Sequence, residues 1–133
     1  MKIQVSQKFI RENYKNIISV GYCDLSTLLR YKEPIYYTAG LYGWNADIYH
    51  ITNEIAIVTG YRPFGNIKAS YNGICKKYEE LSREITKSDL TYNEKQEKID
   101  KLLEKFISEA IEKGVNKNDI WKNRWNKKEN KRD

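Results

Sequence analysis

Histidine and methionine occur once each in this chain, and cysteine and proline twice each. With His50 as the only imidazole, an HExxH metal motif cannot form, and no Ser-His-Asp constellation or P-loop is present. A single His within a strand-like pattern reads first as a structural residue. Cys23 and Cys75 lie far apart and neither belongs to a CxxC pair. That spacing speaks against zinc and leaves each as a small buried hydrophobe or a free thiol. No window approaches the roughly 18 apolar residues of a membrane span. MKIQVSQKF lacks the sustained apolar stretch of a signal peptide. The expectation is a cytosolic, non-enzymatic protein with no catalytic residue, cofactor or metal.

What is present is one domain's worth of polar, globular sequence. The 133 residues are 40% hydrophobic and 32% charged, enough to bury a core without disulfide or metal support. The net charge of +6 is uneven. Residues 1–66 hold 7 basic and 5 acidic side chains, residues 67–112 hold 9 and 10, and residues 113–133 hold 8 and 3. The basic end reads either as a solubilising tail or as a surface for nucleic acid. Trp121 and Trp125, four apart, would share one face of a short helix there.

The chain divides into a strand-rich half and a helical half. The expected fold is α+β in one domain over 1–133: an N-terminal antiparallel sheet with a short helix (1–66), a helical hairpin (67–114) and a basic tail (115–133). Ile3–Val5 and Ile17–Tyr22 read as strands. Asp24 then caps a two-turn helix carrying Leu25, Leu28 and Leu29, which ends before Pro34. Residues 35–42, 44–51 and 54–59 read as an antiparallel meander. Its third strand places Ile55 and Ile57 on one face and Ala56 and Val58 on the other, so it should be covered on both sides. Ile67, Tyr71, Ile74, Tyr78, Leu81 and Ile85 form a helical stripe, with Gly73 delaying its start. SDLT breaks it. A capping box, Thr91 to Glu94, opens the next helix, which carries Ile99, Leu102, Leu103, Phe106, Ala110 and Ile111 and stops at Gly114. The stripes pack on the sheet and each other, or build a dimer.

Residues 36–66 are the most distinctive part, with seven aromatic residues and four glycines in thirty-one positions. Arg62 stands out. It follows a strand ending in Gly60 and precedes Pro63, so its backbone is stiff. A guanidinium held there can fork onto phosphate or carboxylate, or stack on a base. Tyr61 and Phe64 could supply the stacking face, and Gly60, Gly65 and Asn66 close backbone approach. The competing reading pairs Arg62 with Asp47, an inward strand carboxylate that needs a partner. Trp44 and Asn45 read as pocket wall and base-edge reader, or as core and turn. Arg30 is a further candidate anion contact, or simply a helix-terminal cation.

The strings ISVGYCDLSTLLRYKEP, YTAGLYGWNADIY and AIVTGYRPFGN resemble a family of small proteins encoded by phages and prophages of Firmicutes. The resemblance covers roughly residues 17 to 66. The layout also resembles phage anti-Thoeris proteins that sequester a cyclic ADP-ribose signal. It implies an N-terminal antiparallel sheet, C-terminal helices, host-cell cytoplasm, and a ligand enclosed in a homodimer or higher homo-oligomer. It implies Arg62 and Phe64 as a stacking pair, with Arg83 or Arg124 closing the site from another subunit. The alternative function is an anti-CRISPR-like inhibitor of a defence protein or its nucleic acid; a small hydrolase is a third.

Overall fold

The computed structural model describes residues 2–21, 24–39, 45–60, 65–69 and 73–132, without side-chain detail at Asn45, Lys68 and 114–132. Six strands form one sheet: β1 (Ile3–Gln4), β2 (Asn16–Val20), β3 (Tyr36–Ala39), β4 (Asn45–His50), β5 (Ile55–Thr59) and β6 (Ile67–Lys68). Their spatial order is β1-β3-β4-β5-β2-β6. Among the described residues there are three helices: α1 (Gln7–Asn13), α2 (Ile74–Lys87) and α3 (Tyr92–Arg132). The α+β class is as expected.

The antiparallel meander is present, with Ile48 opposite Tyr36 and Val58 opposite Ile48. The sheet as a whole is mixed, which corrects the all-antiparallel expectation. β2 runs parallel to β5, from Asn16↔Ile55 to Val20↔Thr59, and also parallel to β6. β1 runs parallel to β3. Strand periodicity marks which residues lie in strands but carries no direction, so this mixture is invisible to it.

β5 is covered on both faces, as its two apolar sides predict. Ile57 joins Ile18, Val20 and Ile67 under α2 and α3, while Ala56 and Val58 join Ile17 and Ile48 under α1. Helix α1 is an addition to the sequence reading. Its signal was local: the Ser6 hydroxyl accepts from the Phe9 N–H at the cap, and Val5 and Ile10 share one apolar cluster across it.

Three further corrections concern helices. Residues 24–31 form successive turns, not a two-turn α-helix, although Leu25, Leu28 and Leu29 are buried as expected. Asp24 does not cap them; its Oδ2 accepts from the Gly21 N–H at 3.0 Å. Ile67 belongs to β6, because the Asn66 side chain docks the chain on β2: its Oδ1 accepts from Ile17 N–H and its Nδ2 donates to the Lys15 carbonyl. Gly114 lies inside α3 and does not end it; one glycine costs a helix only about 1 kcal/mol.

The hairpin forms as read. Helix α2 starts after Gly73, which takes φ of 71°. Thr91 and Glu94 exchange both capping contacts, the Glu94 N–H reaching Thr91 Oγ1 at 3.2 Å and the Thr91 N–H reaching Glu94 Oε1 at 3.3 Å. Tyr78 meets Phe106 edge to face at 5.6 Å, and Lys95 Nζ donates to the Thr86 carbonyl near the turn. These contacts make α2 and α3 antiparallel. Leu81 stands 38% exposed, while Glu79 and Ser82 are buried on the inner side of α2.

Candidate functional site

The sequence placed its main bet on the segment after β5. Trp44, Tyr61, Arg62 and Phe64 lie outside the described residues, and so do Tyr42, Cys23 and Tyr71. The flanks of the segment are described. Gly60 N–H donates to the Val20 carbonyl at 3.2 Å, so the segment leaves from the carboxyl end of β2. It returns at Gly65, whose N–H donates to the buried Ser19 Oγ at 2.6 Å. β5 and β6 flank β2, so residues 60–66 carry the chain from one side of β2 to the other. Parallel neighbours usually need a dozen or more connecting residues. Gly65 and Asn66 spend their described polar groups on seating this short crossover.

Beside that end of β2 lies a cleft of about 370 Å³, lined by Asp24, Gly73, Cys75, Lys76, Glu79, Glu80 and Arg83. Its wall is the first half of α2. That helix has no acidic residue in its own first turn, and its N-cap is Gly73, which has no side chain to offer. The nearest acid the cleft brings to that end is Asp24, which faces the positive end of the helix across the cleft. Lys76 and Arg83, two turns apart, add cations.

Two of the three acids of the cleft, Asp24 and Glu79, are committed inward, and the third, Glu80, is exposed on its wall. Asp24 holds Gly21. Glu79, 5% exposed, accepts from Thr27 N–H at 2.9 Å, Thr27 Oγ1 at 2.6 Å and Ser26 Oγ at 3.2 Å. It thus pins the 24–31 turns to α2. Arg83 Nε stands 3.4 Å from Glu79 Oε2. At the base, burial pushes the Cys75 thiol up to about 12, with Asp24 and Glu79 adding to the effect. The thiol stays protonated, which matches the reading of Cys75 as a small buried residue rather than a nucleophile.

The other candidates are dispersed. Asp47 is paired with Lys2, whose Nζ approaches to 2.9 Å and whose hydrogen bond to Asp47 raises the Lys2 pKa. Asn45 pairs with Ala39 in the β3–β4 ladder. Arg30 is exposed on the turn segment and does not line the cleft. Of the cations named from sequence, Arg83 is the one the described fold brings to the cleft. Sequence reasoning missed Glu79 and Lys76. An acid on the inner side of an amphipathic stripe was the available signal for Glu79.

His50 pairs with Tyr14, the hydroxyl lying 2.7 Å from Nδ1, and burial raises the Tyr14 pKa. Phe9, Asn13, Ile35, Tyr36 and Asn53 complete a shallow groove around them. Among the described residues no group of three or more His, Cys, Asp or Glu is placed to hold a metal, and no helix is long and apolar enough to cross a membrane.

Comparison of the chain with protein-family models, curated proteins and solved structures gives no match.

Proposed function

We propose that this protein binds a small cyclic nucleotide of the cyclic ADP-ribose type and sequesters it without turnover, as a phage product acting against a host defence signal. The observation that carries the reading is the cleft between Asp24, in the segment that follows β2, and the N-terminal turns of α2, with Lys76 and Arg83 on its wall. Phosphate oxygens suit that combination of helix-terminal N–H groups and cations. The sequence resemblance supplies the ligand class and the phage setting. Arg62 enters from sequence alone, as the stiff cation of the segment that departs beside the carboxyl end of β2. Such a sponge works by mass action, holding free signal below the level its receptor needs. A homodimer would enclose the ligand more fully.

Calorimetry with cyclic ADP-ribose isomers and cyclic oligonucleotides tests this directly. One of them should give saturable heat and be recovered unchanged after the protein is denatured. Absence of heat with all of them, in a folded sample, would sink the proposal. Recovery of a hydrolysed product would replace it with an enzyme.

A second reading, an inhibitor of a defence protein or its nucleic acid, draws on the 8 basic against 3 acidic residues of 113–133. It predicts RNA or DNA binding that falls steeply with salt and is lost when 115–133 are deleted.

A further inference from the structure

We propose that Glu79 is a positioning residue for ligand in this cleft: it holds Arg83 by Nε and so presents the rest of the guanidinium to a ligand phosphate. The inference rests on the nucleotide-binding reading above and adds a residue that would touch no ligand itself. Its basis is the contrast between the two side chains. The Glu79 side chain is 7% exposed and that of Arg83 59%, although they lie one helical turn apart. The carboxylate cannot follow Arg83 outward, because five contacts from Ser26, Thr27 and Leu28 fix both of its oxygens. Arg83 instead comes to the carboxylate as an ion pair, with Nε, the nitrogen nearest its stem, 3.4 Å from Oε2.

An arginine held this way keeps its terminal nitrogens for a planar two-point contact with phosphate. A flexible surface arginine would lose more freedom on binding. Lys76 lines the same cleft and supplies a second cation without such a brace. The arrangement also separates two physical effects. If only charge counted, neutralising Glu79 would make the cleft more positive and bind an anion more tightly. If orientation counts more, neutralising it weakens binding.

The test is titration of cyclic ADP-ribose into the full chain and into Glu79→Gln, Arg83→Gln, Arg83→Lys and the Glu79→Gln/Arg83→Gln double variant. Gln keeps an acceptor oxygen for Thr27, and thermal melts check that the variants are folded. Glu79→Gln should weaken binding about tenfold in the Arg83 background and leave the Arg83→Gln background unchanged. Arg83→Lys, an exposed change that keeps the fold and the charge but loses the fork, should bind as weakly as Arg83→Gln. Unchanged or tighter binding by Glu79→Gln overturns the proposal. So does equal weakening in both Arg83 backgrounds, which would mark a purely structural Glu79. Should Glu79→Gln not fold, wild-type affinity in Arg83→Lys overturns it alone. A wild-type chain that binds no cyclic ADP-ribose removes the nucleotide reading together with this inference. Wild-type binding that ignores Glu79 removes only the inference.

Discussion

The Gly65 amide lies 2.6 Å from the hydroxyl of Ser19, a buried residue near the carboxyl end of β2. A methyl group at position 65 would collide with that hydroxyl and come within 2.5 Å of the Ile17 carbonyl oxygen. Both obstacles belong to a strand locked between two neighbours, so neither can yield cheaply. Gly65→Ala should therefore destabilise the protein by about 3 kcal/mol. Ser19→Ala, which leaves the buried amide without an acceptor, should cost about 1–2 kcal/mol. Urea denaturation read by tryptophan fluorescence measures both, and equal stability of Gly65→Ala and wild type would refute the account of the crossover.

Glu79 organises the 24–31 turns as well as Arg83. Removing its carboxylate strands the Thr27 and Leu28 amides at a buried junction. Glu79→Ala should lower stability by about 3 kcal/mol, and hydrogen exchange should accelerate at 25–29 before it does in β5.

The reciprocal cap at Thr91 and Glu94 closes the turn between α2 and α3. Thr91→Ala should cost about 1 kcal/mol, seen as a lower urea midpoint with an unchanged slope. Thr91→Ser, which keeps the hydroxyl, should recover most of it.

Acid should loosen the hairpin. The Lys77 ammonium, hydrogen-bonded to Glu109 at 2.8 Å, holds the Glu109 carboxyl below its ordinary value, with help from the Tyr78 hydroxyl. A depressed carboxylate contributes stability above its unfolded pKa of about 4.3 and loses it as pH falls through the folded value. Glu94 acts in the same direction through its hydrogen bonds with Thr91. Thermal melts between about pH 5 and pH 2 should show a steep fall for wild type and a shallower one for Glu109→Gln. Identical slopes would exclude the Lys77 pair as a contributor.

Much of the fold was legible because it is written in local chemistry. The Thr91–Glu94 box, the delayed start of α2 at Gly73 and the two apolar faces of β5 each follow from residues that act within a few positions of themselves. The parts that were not legible depend on distant partners. Nothing near Ile18 says that Ile57 and Ile67 will flank it in parallel. Leu25, Leu28 and Leu29 have helical spacing, but the amides of Thr27 and Leu28 are satisfied by Glu79, more than fifty residues on. The site was half legible for the same reason. Arg83 could be named from its charge and its helix, whereas Glu79 matters only through donors on another segment.

The position of β2 also bears on how the protein is made. Ile17, Ile18 and Val20 leave the ribosome early, yet both of the strand's neighbours, β5 and β6, are encoded well downstream. Until Thr59 has emerged, this apolar strand has two open edges and no sheet to enter, and its β6 edge stays open until Lys68 follows. Vectorial synthesis therefore cannot build the sheet from its N-terminus outward. The nascent chain must wait with this strand unpaired, which makes the interval between translation of β2 and of β5 the stage most exposed to aggregation.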